Sequence, residues 1–251
     1  MRIDLNADLG ESPAPVSADE AALLTSVTSI NVACGFHAGT PSGMREIVRL
    51  AKSATVAVGA HPSLSDRDGF GRRVLSLRPA ELEDIVLYQV SALAGIARAE
   101  GVALRHVKPH GALYHMASSD DAVAEALVGA VRHSGERLRI IGFPGSRLIE
   151  AATRAGVPVL AEAFADRAYA PDGTLVPRDR AGAVIHHERR VVARVLRMLR
   201  EHRILAIDER TDLDIVPDTI CIHGDTPGAG NLARILRAAL AREGIDVVAP
   251  A

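Results

Sequence analysis

Short apolar runs alternate with helix-like segments along nearly the whole chain, and this alternation limits the possible folds more than any other feature. Each run is rich in Val, Ile, Leu and Ala, as buried strands are. The predicted strands cover residues 2–8, 28–34, 55–61, 104–109, 138–143, 157–164 and 218–224. The predicted helices cover residues 17–26, 41–53, 79–100, 120–133, 146–155, 188–202 and 230–242. This order indicates a parallel sheet, because parallel neighbours need a crossover connection.

The number of these units predicts how the sheet closes. Seven βα units without a Gly/Ser/Pro-rich linker favour an α/β fold with one domain over residues 1–251, a closed or nearly closed barrel of seven parallel strands. An open, doubly wound sheet is the alternative, since 251 residues suit either architecture. Residues 245–250 could add an eighth short strand or cover an edge.

Charge and composition argue against several kinds of partner. A net charge of −2 and a charged fraction of 24% give no field that would attract nucleic acid or an anionic membrane. No apolar stretch reaches the length of about 18 residues that a membrane span needs, and Asp4 and Asp8 interrupt the segment where a signal peptide would be apolar. We therefore expect a cytoplasmic protein with a small-molecule or protein partner. Cys34 and Cys221 have no CxxC spacing and are expected to be buried, small apolar side chains.

Polar and ionisable residues collect where the predicted strands end. In parallel α/β folds every βα loop leaves from that end of the sheet, so side chains distant in sequence meet there. The residues at these ends are Asn6, Asp8, Glu11, His37, His61, Lys108, His110, Glu162, Asp166, Arg167, His223 and Asp225. Their convergence from separate loops, rather than any single residue, predicts an active site.

Lys108 is one of only two lysines among 29 Lys plus Arg residues. Chance drift is one explanation. The other is that the site needs a compact ammonium group on a flexible stem, which a planar guanidinium cannot replace.

Two further chemical features of the strand ends leave alternatives open. Asp8, His37 and His61 would suit a divalent metal, since one carboxylate and two neutral imidazoles are a common open ligand set. Their separations match no short metal motif, and a metal-free acid–base site is the alternative. The sequence HGDTPGAGN, which begins at His223 and includes Gly224 and Asp225, could bring backbone amides to a phosphate or carboxylate at a helix start, or could form a capped tight turn.

Six sequence blocks, in order along the chain, carry a resemblance to a known family. They are RIDLNADLGE, NVACGFHAG, GAHPSLSDRDGFGR, RHVKPHGALY, FADRAYAPDGTLVPR and HGDTPGA. With these blocks the chain closely resembles the LamB/YcsF family, which is similar in architecture to the seven-stranded β/α barrels of deacetylases and glycosidases. Thr40 departs from the family pattern, in which an Asp commonly follows the HAG sequence.

The resemblance implies a hydrolase, 5-oxoprolinase, that opens the lactam ring of 5-oxo-L-proline to L-glutamate, coupled to ATP hydrolysis. It also implies ATP as co-substrate, together with Mg, and two partner proteins, the B and C subunits of that enzyme. A five-membered lactam resists hydrolysis near neutral pH, and phosphorylation of its amide oxygen would make the carbon reactive toward water. Such a reaction needs cations for phosphoryl oxygens, a base, an acid and a group that binds the substrate carboxylate.

The strand-end residues can be assigned to these tasks as hypotheses. We expect Lys108 to stabilise developing phosphoryl or oxyanion charge, and His61 and His110 to transfer protons. Asp8 and Glu162 would orient these groups or water. The residues expected to bind substrate or phosphate are Asn6, Arg167, Arg178, His223, Gly224 and Asp225.

Two other functions fit the same residues. The Asp8, His37 and His61 set suits a metal-dependent deacetylase or amidase that acts alone. A non-catalytic protein that delivers substrate or regulates its partners is the third possibility, although such a protein would not need acids, bases and a cation at so many strand ends.

Overall fold

Strands and helices alternate through the computed structural model, which describes residues 1–12, 16–222 and 228–250. The strands are β1 (Arg2–Leu9), β2 (Ser29–Ala33), β3 (Ala57–His61), β4 (Leu104–Val107), β5 (Arg139–Gly142), β6 (Val159–Phe164), β7 (Arg203–Leu205), β8 (Asp212–Asp214), β9 (Thr219–Ile222) and β10 (Asp246–Val247). The helices are α1 (Ala18–Leu24), α2 (Pro41–Ala54), α3 (Pro79–Ala99), α4 (Gly111–Ser119), α5 (Asp121–His133), α6 (Arg147–Arg154), α7 (Glu188–Glu201) and α8 (Ala229–Arg242). Within the described ranges, no helix combines the length and the apolar character that crossing a bilayer requires.

Seven parallel strands close into a barrel. Their order is β1, β2, β3, β4, β5, β6 and β9, and β9 pairs again with β1. Strand β10 lies outside this ring and pairs in parallel with the start of β1. The predicted seven-stranded barrel is confirmed, and the pairing of β9 with β1 rules out the open sheet. Residues 245–250 do contribute a short additional strand.

Two parts of the fold were not predicted. Helix α4 begins at Gly111, directly after the Lys108 segment, and no side chain caps its start. Strands β7 and β8 pair antiparallel outside the barrel. Each of these strands is three residues long and partly exposed, which is too short for an alternating pattern to be recognised.

Several helix ends follow from local sequence signals. Pro41 and Pro79 are the first residues of α2 and α3, and Gly101 takes a left-handed φ of 71° just after α3. The Thr40 hydroxyl accepts the Gly43 N–H at 3.1 Å and so caps α2. Asp serves equally well as an N-cap, so the departure of Thr40 from the family pattern preserves the start of this helix.

Alternation along β1 gives the barrel a polar interior. Asp4, Asn6 and Asp8 hydrogen-bond with residues of other strands inside the ring. Leu5 and Leu9, on the opposite face, are fully buried in the apolar layer between barrel and helices. Burial of one leucine side chain contributes about 1.5–3 kcal/mol. The outer layer therefore stabilises the fold, and the interior is left to polar groups.

One glycine makes room for an interior histidine. Gly59 of β3 lies opposite His106 of β4 in the strand register. A Cβ atom at position 59 would lie 2.1 Å from atoms of the His106 ring, so only glycine fits there. This space lets the His106 Nε2 approach the Asn31 Oδ1 to 2.8 Å.

Candidate active site at the carboxyl ends of the strands

Lys108 lies at the centre of a buried polar cluster just beyond the end of β4. Its Nζ is 2.9 Å from Glu162 Oε1, 3.0 Å from Asp8 Oδ1, 3.0 Å from Cys221 Sγ and 3.4 Å from Asn6 Oδ1. The side chain is almost fully buried. Three adjacent strands, β6, β9 and β1, thus supply partners to one ammonium group that reaches them from β4, an arrangement that a larger guanidinium could not reproduce in the same space.

The charge state of this cluster follows from its two carboxylates. Burial alone would lower the pKa of Lys108, but the charges of Asp8 and Glu162 outweigh burial and raise that pKa well above its usual value. Burial raises the pKa of the Cys221 thiol well above its usual range, despite the nearby ammonium. Lys108 is therefore charged at neutral pH, and Cys221 is a neutral neighbour rather than a thiolate nucleophile.

Two asparagines fix the positions of the carboxylates. The Asn6 Nδ2 donates to Glu162 Oε1 at 3.2 Å and to Thr219 Oγ1 at 2.7 Å. The Asn31 Nδ2 donates to Asp8 Oδ1 and to Asn6 Oδ1, each at 2.8 Å. Because these amides come from adjacent strands in register, the rigid sheet itself orients the acidic groups.

A second cluster, formed by Glu11, His37, His61 and His110, adjoins the first. Glu11 Oε1 is 3.0 Å from His37 Nε2, 3.0 Å from His110 Nδ1 and 3.7 Å from His61 Nε2. One potential ligand atom from each of the four residues lies within 4.8 Å of the others, so this histidine–glutamate cluster could hold a metal ion. His61 Nε2 also lies 3.5 Å from Asp8 Oδ2, which connects the two clusters.

The loop after β1 places Glu11 in this cluster. Gly10 takes a left-handed φ of 80° and turns the chain at that point. The Glu20 carboxylate of α1 accepts the N–H groups of Gly10 at 2.9 Å and Ser17 at 2.8 Å, together with the Ser12 hydroxyl at 2.5 Å. One buried acid, Glu20, therefore holds Gly10 and Ser12, the two residues that flank Glu11.

Burial sets the protonation states in the histidine–glutamate cluster. It lowers the pKa of His61 to about 3 even though Asp8 opposes the shift, and it lowers the pKa of His37. Burial would raise the pKa of Glu11, but the adjacent His110 and His37 side chains hold it well below its usual value. At neutral pH, His61 is therefore a neutral base or ligand and Glu11 is ionised.

A cavity of about 400 Å³ opens beside these clusters, within the usual range for small-molecule sites. Its wall includes His110, whose ring belongs to the histidine–glutamate cluster. The other wall residues that matter for recognition are Arg72, Tyr114, His115, Phe164, Arg167 and Arg178. The Arg167 Nη2 donates to the Val176 carbonyl at 2.6 Å, which holds this buried guanidinium against the cavity.

Two buried polar atoms near the cavity lack a hydrogen bond of normal geometry among the described residues, namely Glu162 Oε2 and the Tyr114 hydroxyl. Burial raises the pKa of Tyr114 well above its usual value, and the charge of Glu162 and a hydrogen bond between the two side chains add to the shift. The two groups therefore face each other in a contact that falls short of normal hydrogen-bond geometry, and such a buried pair is costly to the folded protein.

Most of the predicted site residues do lie together. Asn6, Asp8, Lys108 and Glu162 form the first cluster, and His37, His61 and His110 belong to the second. Arg167 and Arg178 line the cavity. His223, Gly224 and Asp225 lie outside the described residues.

The predicted metal set of Asp8, His37 and His61 differs from the group that the structure forms. Asp8 binds the Lys108 ammonium, and Glu11 and His110 complete the histidine group instead. The sequence pattern identifies Glu11 only as a strand-end residue. It does not identify Asn31 and His106 as site residues, although the spacing of Asn31 two residues beyond Ser29 could have placed it on the inner face of β2.

The fold and these clusters together define a β/α-barrel protein with an ionisable centre at the carboxyl ends of its strands. A model of the LamB/YcsF family matches residues 3–251. The chain belongs to the LamB/YcsF family.

Individual relatives cover nearly all of the chain. It is 54% identical to the A subunit of 5-oxoprolinase from Methylococcus capsulatus, over 98% of this chain and 95% of that protein. It is 45% identical to the A subunit of 5-oxoprolinase from Pyrococcus furiosus, over 99% of this chain and 97% of that protein. Among solved structures, the lactam utilization protein from Thermus thermophilus is 43% identical and superimposes over 100% of both chains with a TM-score of 0.92.

Proposed function

We propose that this chain is the A subunit of a prokaryotic 5-oxoprolinase, which opens the lactam of 5-oxo-L-proline to L-glutamate. In this proposal the reaction is coupled to hydrolysis of ATP, supplied with Mg, and requires the B and C subunits as partners. Relatives at 45–54% identity that are named as 5-oxoprolinase A subunits support the assignment, as does a lactam utilization protein of the same fold.

The observation that carries the chemistry is the Lys108 ammonium, buried between Asp8 and Glu162 at the mouth of the barrel. Lactam opening forms negative charge on the amide oxygen, or on phosphoryl oxygens if that oxygen is first phosphorylated. A buried, pre-oriented cation stabilises such charge far better than water does. Lys108 therefore has the chemical character that the reaction requires.

In this proposal, the side chains around Lys108 transfer the protons. His61 is neutral and its Nδ1 donates to the Lys108 carbonyl at 2.7 Å, so its Nε2 can accept a proton from water, and Asp8 Oδ2, 3.5 Å from that nitrogen, orients the water. His110 lines the cavity, and in this proposal it delivers a proton to the lactam nitrogen as the ring opens. Glu162 orients Lys108 and offers its second oxygen to the substrate amide.

Residues of the cavity wall would bind the carboxylate group of the substrate. Arg167 or Arg178 binds the carboxylate of 5-oxoproline, since guanidinium groups match the geometry of carboxylates. Asn6 holds Glu162 beneath this cavity. We keep His223, Gly224 and Asp225 as proposed phosphate contacts, on their sequence pattern alone.

A stand-alone, metal-dependent amidase is the second candidate, and the histidine–glutamate cluster favours it. A divalent ion there would be held by Glu11, His37, His61 and His110, and would supply Lewis acidity and a more acidic bound water. A non-catalytic role finds less support, because burial of an ion pair as costly as Lys108 with Asp8 and Glu162 is typical of reactive sites.

Separate measurement of ADP and glutamate distinguishes these functions. The purified chain is incubated with 5-oxo-L-proline, ATP and Mg, alone and with the B and C subunits. We expect glutamate only in the complete mixture, in proportion to ADP. Glutamate from the chain alone without ATP would favour the amidase. Full activity of the complete mixture after combined Asp8→Asn and His61→Ala substitutions would favour a non-catalytic role.

The remaining parts of the proposal concern the setting of the protein. We place it in the cytoplasm, where ATP and glutamate are available, as one barrel domain over residues 1–251. We propose no nucleic-acid or membrane partner, because a net charge of −2 provides no attraction to either.

A further inference from the structure

The outer nitrogens of two histidines in the histidine–glutamate cluster are bound to main-chain carbonyl groups. His61 Nδ1 is 2.7 Å from the Lys108 carbonyl oxygen, and His110 Nε2 is 2.9 Å from the Phe70 carbonyl oxygen. A carbonyl oxygen only accepts, so these two ring nitrogens carry the protons and donate. In a neutral imidazole the other nitrogen then presents a lone pair. The inward-facing atoms, His61 Nε2 and His110 Nδ1, are therefore acceptors.

These inward lone pairs point toward one another and toward a carboxylate. His61 Nε2 and His110 Nδ1 are only 3.0 Å apart, and Glu11 Oε1 is 3.0 Å from the latter and 3.7 Å from the former. Acceptors at such separations repel unless a positive species lies between them. One proton could bridge a single pair of these atoms. A metal ion would satisfy all of them at once.

The spacing of these atoms suits a small cation. A triangle with edges of 3.0, 3.0 and 3.7 Å contains points about 2.0 Å from all three corners, and about 2.0 Å is the usual zinc–imidazole bond length. His37 Nε2 provides a fourth donor atom, 3.0 Å from Glu11 Oε1. The site thus offers three nitrogens and one oxygen from one compact group.

The packing around the cluster holds it in this arrangement. The His37 and His110 rings stack with centroids 3.8 Å apart. A Cβ atom at Gly71 would lie 2.9 Å from His37 Cβ and 2.9 Å from His110 Cδ2, so a glycine is needed where the loop crosses these rings. Phe70 adopts a left-handed φ of 54°, a conformation that costs energy for a non-glycine residue and that points its carbonyl at His110.

We propose that Glu11, His37, His61 and His110 form a binding site for one first-row divalent cation, with zinc as the ion that fits best. Three imidazoles and one carboxylate suit zinc, and histidine ligands in such sites usually donate their other N–H to a carbonyl or carboxylate. Asp8 borders this set, since its Oδ1 is bound to Lys108 and its Oδ2 lies 3.5 Å from His61 Nε2. The site stands on its own geometry. With an ion bound, His61 and His110 would serve as ligands, so the proton transfers proposed for these two residues belong to the ion-free protein.

Metal titration of the full-length chain tests this site. The protein is stripped with a chelator, and Co²⁺ uptake is followed by its visible absorption, while Zn²⁺ content is measured by elemental analysis. We expect one ion per chain and cobalt bands of a low-coordinate nitrogen–oxygen site. His61→Ala, His110→Ala and Glu11→Gln should each weaken binding at least about 100-fold, more than the 10–100-fold typical of a lost outer partner.

The matched control is His133→Ala, which removes an exposed histidine paired with Glu83 and should leave uptake unchanged. X-ray absorption of zinc-loaded wild type supplies a measurement that needs no variant, with nitrogen and oxygen ligands at about 2.0 Å expected. No uptake by wild type, or uptake that survives the double variant His61→Ala/His110→Ala, would overturn the site. These readouts do not depend on glutamate formation, so a failure of the proposed activity would leave them unaffected.

Discussion

Asp4 and Asp8 lie on the same inward face of β1, four positions apart, yet Asp4 is bound by neutral hydroxyl groups and Asp8 by a charged ammonium group. Asp4 accepts three hydroxyl hydrogen bonds, from Thr28 at 2.7 Å, Ser29 at 2.6 Å and Thr219 at 2.5 Å. Asp8 lies against the Lys108 ammonium and near a neutral histidine, His61. The comparison separates an acid that joins strands from an acid that belongs to the reactive end of the barrel.

The difference shows how one strand can serve both stability and chemistry. Burial raises the pKa of Asp4 although its hydroxyl donors oppose the shift. Those donors come from β9 and from the start of β2, so the carboxylate joins three neighbouring chain segments at the amino end of the barrel. At the other end, Glu162 Oε2 has no hydrogen bond of normal geometry among the described residues. A buried carboxylate whose oxygens all accept hydrogen bonds is typical of a structural role. A buried carboxylate oxygen without a well-formed hydrogen bond is more typical of the functional end of the barrel.

The largest expected effect follows from changing the cation itself. Lys108→Arg should lower the coupled activity at least about 100-fold, because the larger planar group cannot keep contacts with Asp8 and Glu162 from the same position. Turnover is measured as glutamate formation by the complete mixture with the B and C subunits. Circular dichroism and thermal unfolding establish that the variant is folded.

The second lysine provides the control for this substitution. Lys52 is exposed, donates to the Glu100 carbonyl at 2.7 Å and does not line the cavity. Lys52→Arg should keep full activity. A folded Lys108→Arg enzyme with wild-type turnover would show that the position tolerates any cation and would remove the distinction between the two ends of β1.

A pair of matched substitutions tests the comparison directly. Asp4→Asn should lower the free energy of unfolding by about 1–3 kcal/mol, because an amide cannot accept all three hydroxyl groups. Its activity per folded molecule should remain close to wild type. Asp8→Asn should instead lower activity at least about 100-fold, since it removes a charge beside Lys108 and His61.

Urea unfolding and glutamate formation are measured on the same samples of both variants. The opposite result, an inactive but stable Asp4→Asn protein beside an active Asp8→Asn protein, would exchange the roles assigned to the two acids.

His106, which hydrogen-bonds to Asn31 inside the barrel, should make the free energy of unfolding depend on pH. Burial lowers its pKa from about 6.5 to about 3, so below pH 6.5 the unfolded chain binds a proton that the folded protein does not. The free energy of unfolding should therefore fall as the pH falls from about 6.5 toward 3, by up to about 1.4 kcal/mol per pH unit from this residue.

The substitution His106→Gln isolates this contribution, because glutamine does not titrate and can still donate to Asn31. We expect the variant to show a shallower loss of stability between about pH 6 and pH 4 in urea titrations. If the free energy of unfolding changed with pH equally steeply in the variant and in the wild type, His106 would titrate alike in the folded and unfolded states.

The smallest effect is expected at Cys221. Its thiol is 3.0 Å from Lys108 Nζ, but burial raises its pKa and keeps it neutral. Cys221→Ser should therefore change turnover by no more than about threefold, or about 0.7 kcal/mol in the barrier. Cys34→Ser, a change at a buried thiol next to the second strand, serves as the comparison. Loss of activity only in Cys221→Ser would assign the thiol a direct chemical role.

Much of the barrel could be predicted because its strands are covered by helices and therefore appear in sequence as apolar runs. The convergence of Asp8, His61, Lys108 and Glu162 could also be predicted, since parallel strands bring their ends together. Sequence reasoning did not detect β7 and β8, whose short strands lie outside the barrel.

The identity of the carboxylate beside the histidines could not be predicted from spacing alone. Asp8 and Glu11 are three residues apart, and the left-handed turn at Gly10 brings Glu11 to His37 and His110. That turn depends in part on Glu20, which belongs to a different element and holds the Gly10 N–H. Tertiary contacts of this kind are absent from any local pattern.

The pairing of β10 with the beginning of β1 brings the two ends of the described chain side by side, with Arg2 opposite Asp246. This junction is at the amino end of the barrel, whereas the cavity opens at the carboxyl end. A short peptide linker could therefore join the old termini and new ones could be opened in an exposed loop, which would give a circular permutant with an undisturbed cavity. A fluorophore attached at Arg2 or Asp246 would likewise report on the protein from the face opposite its cavity.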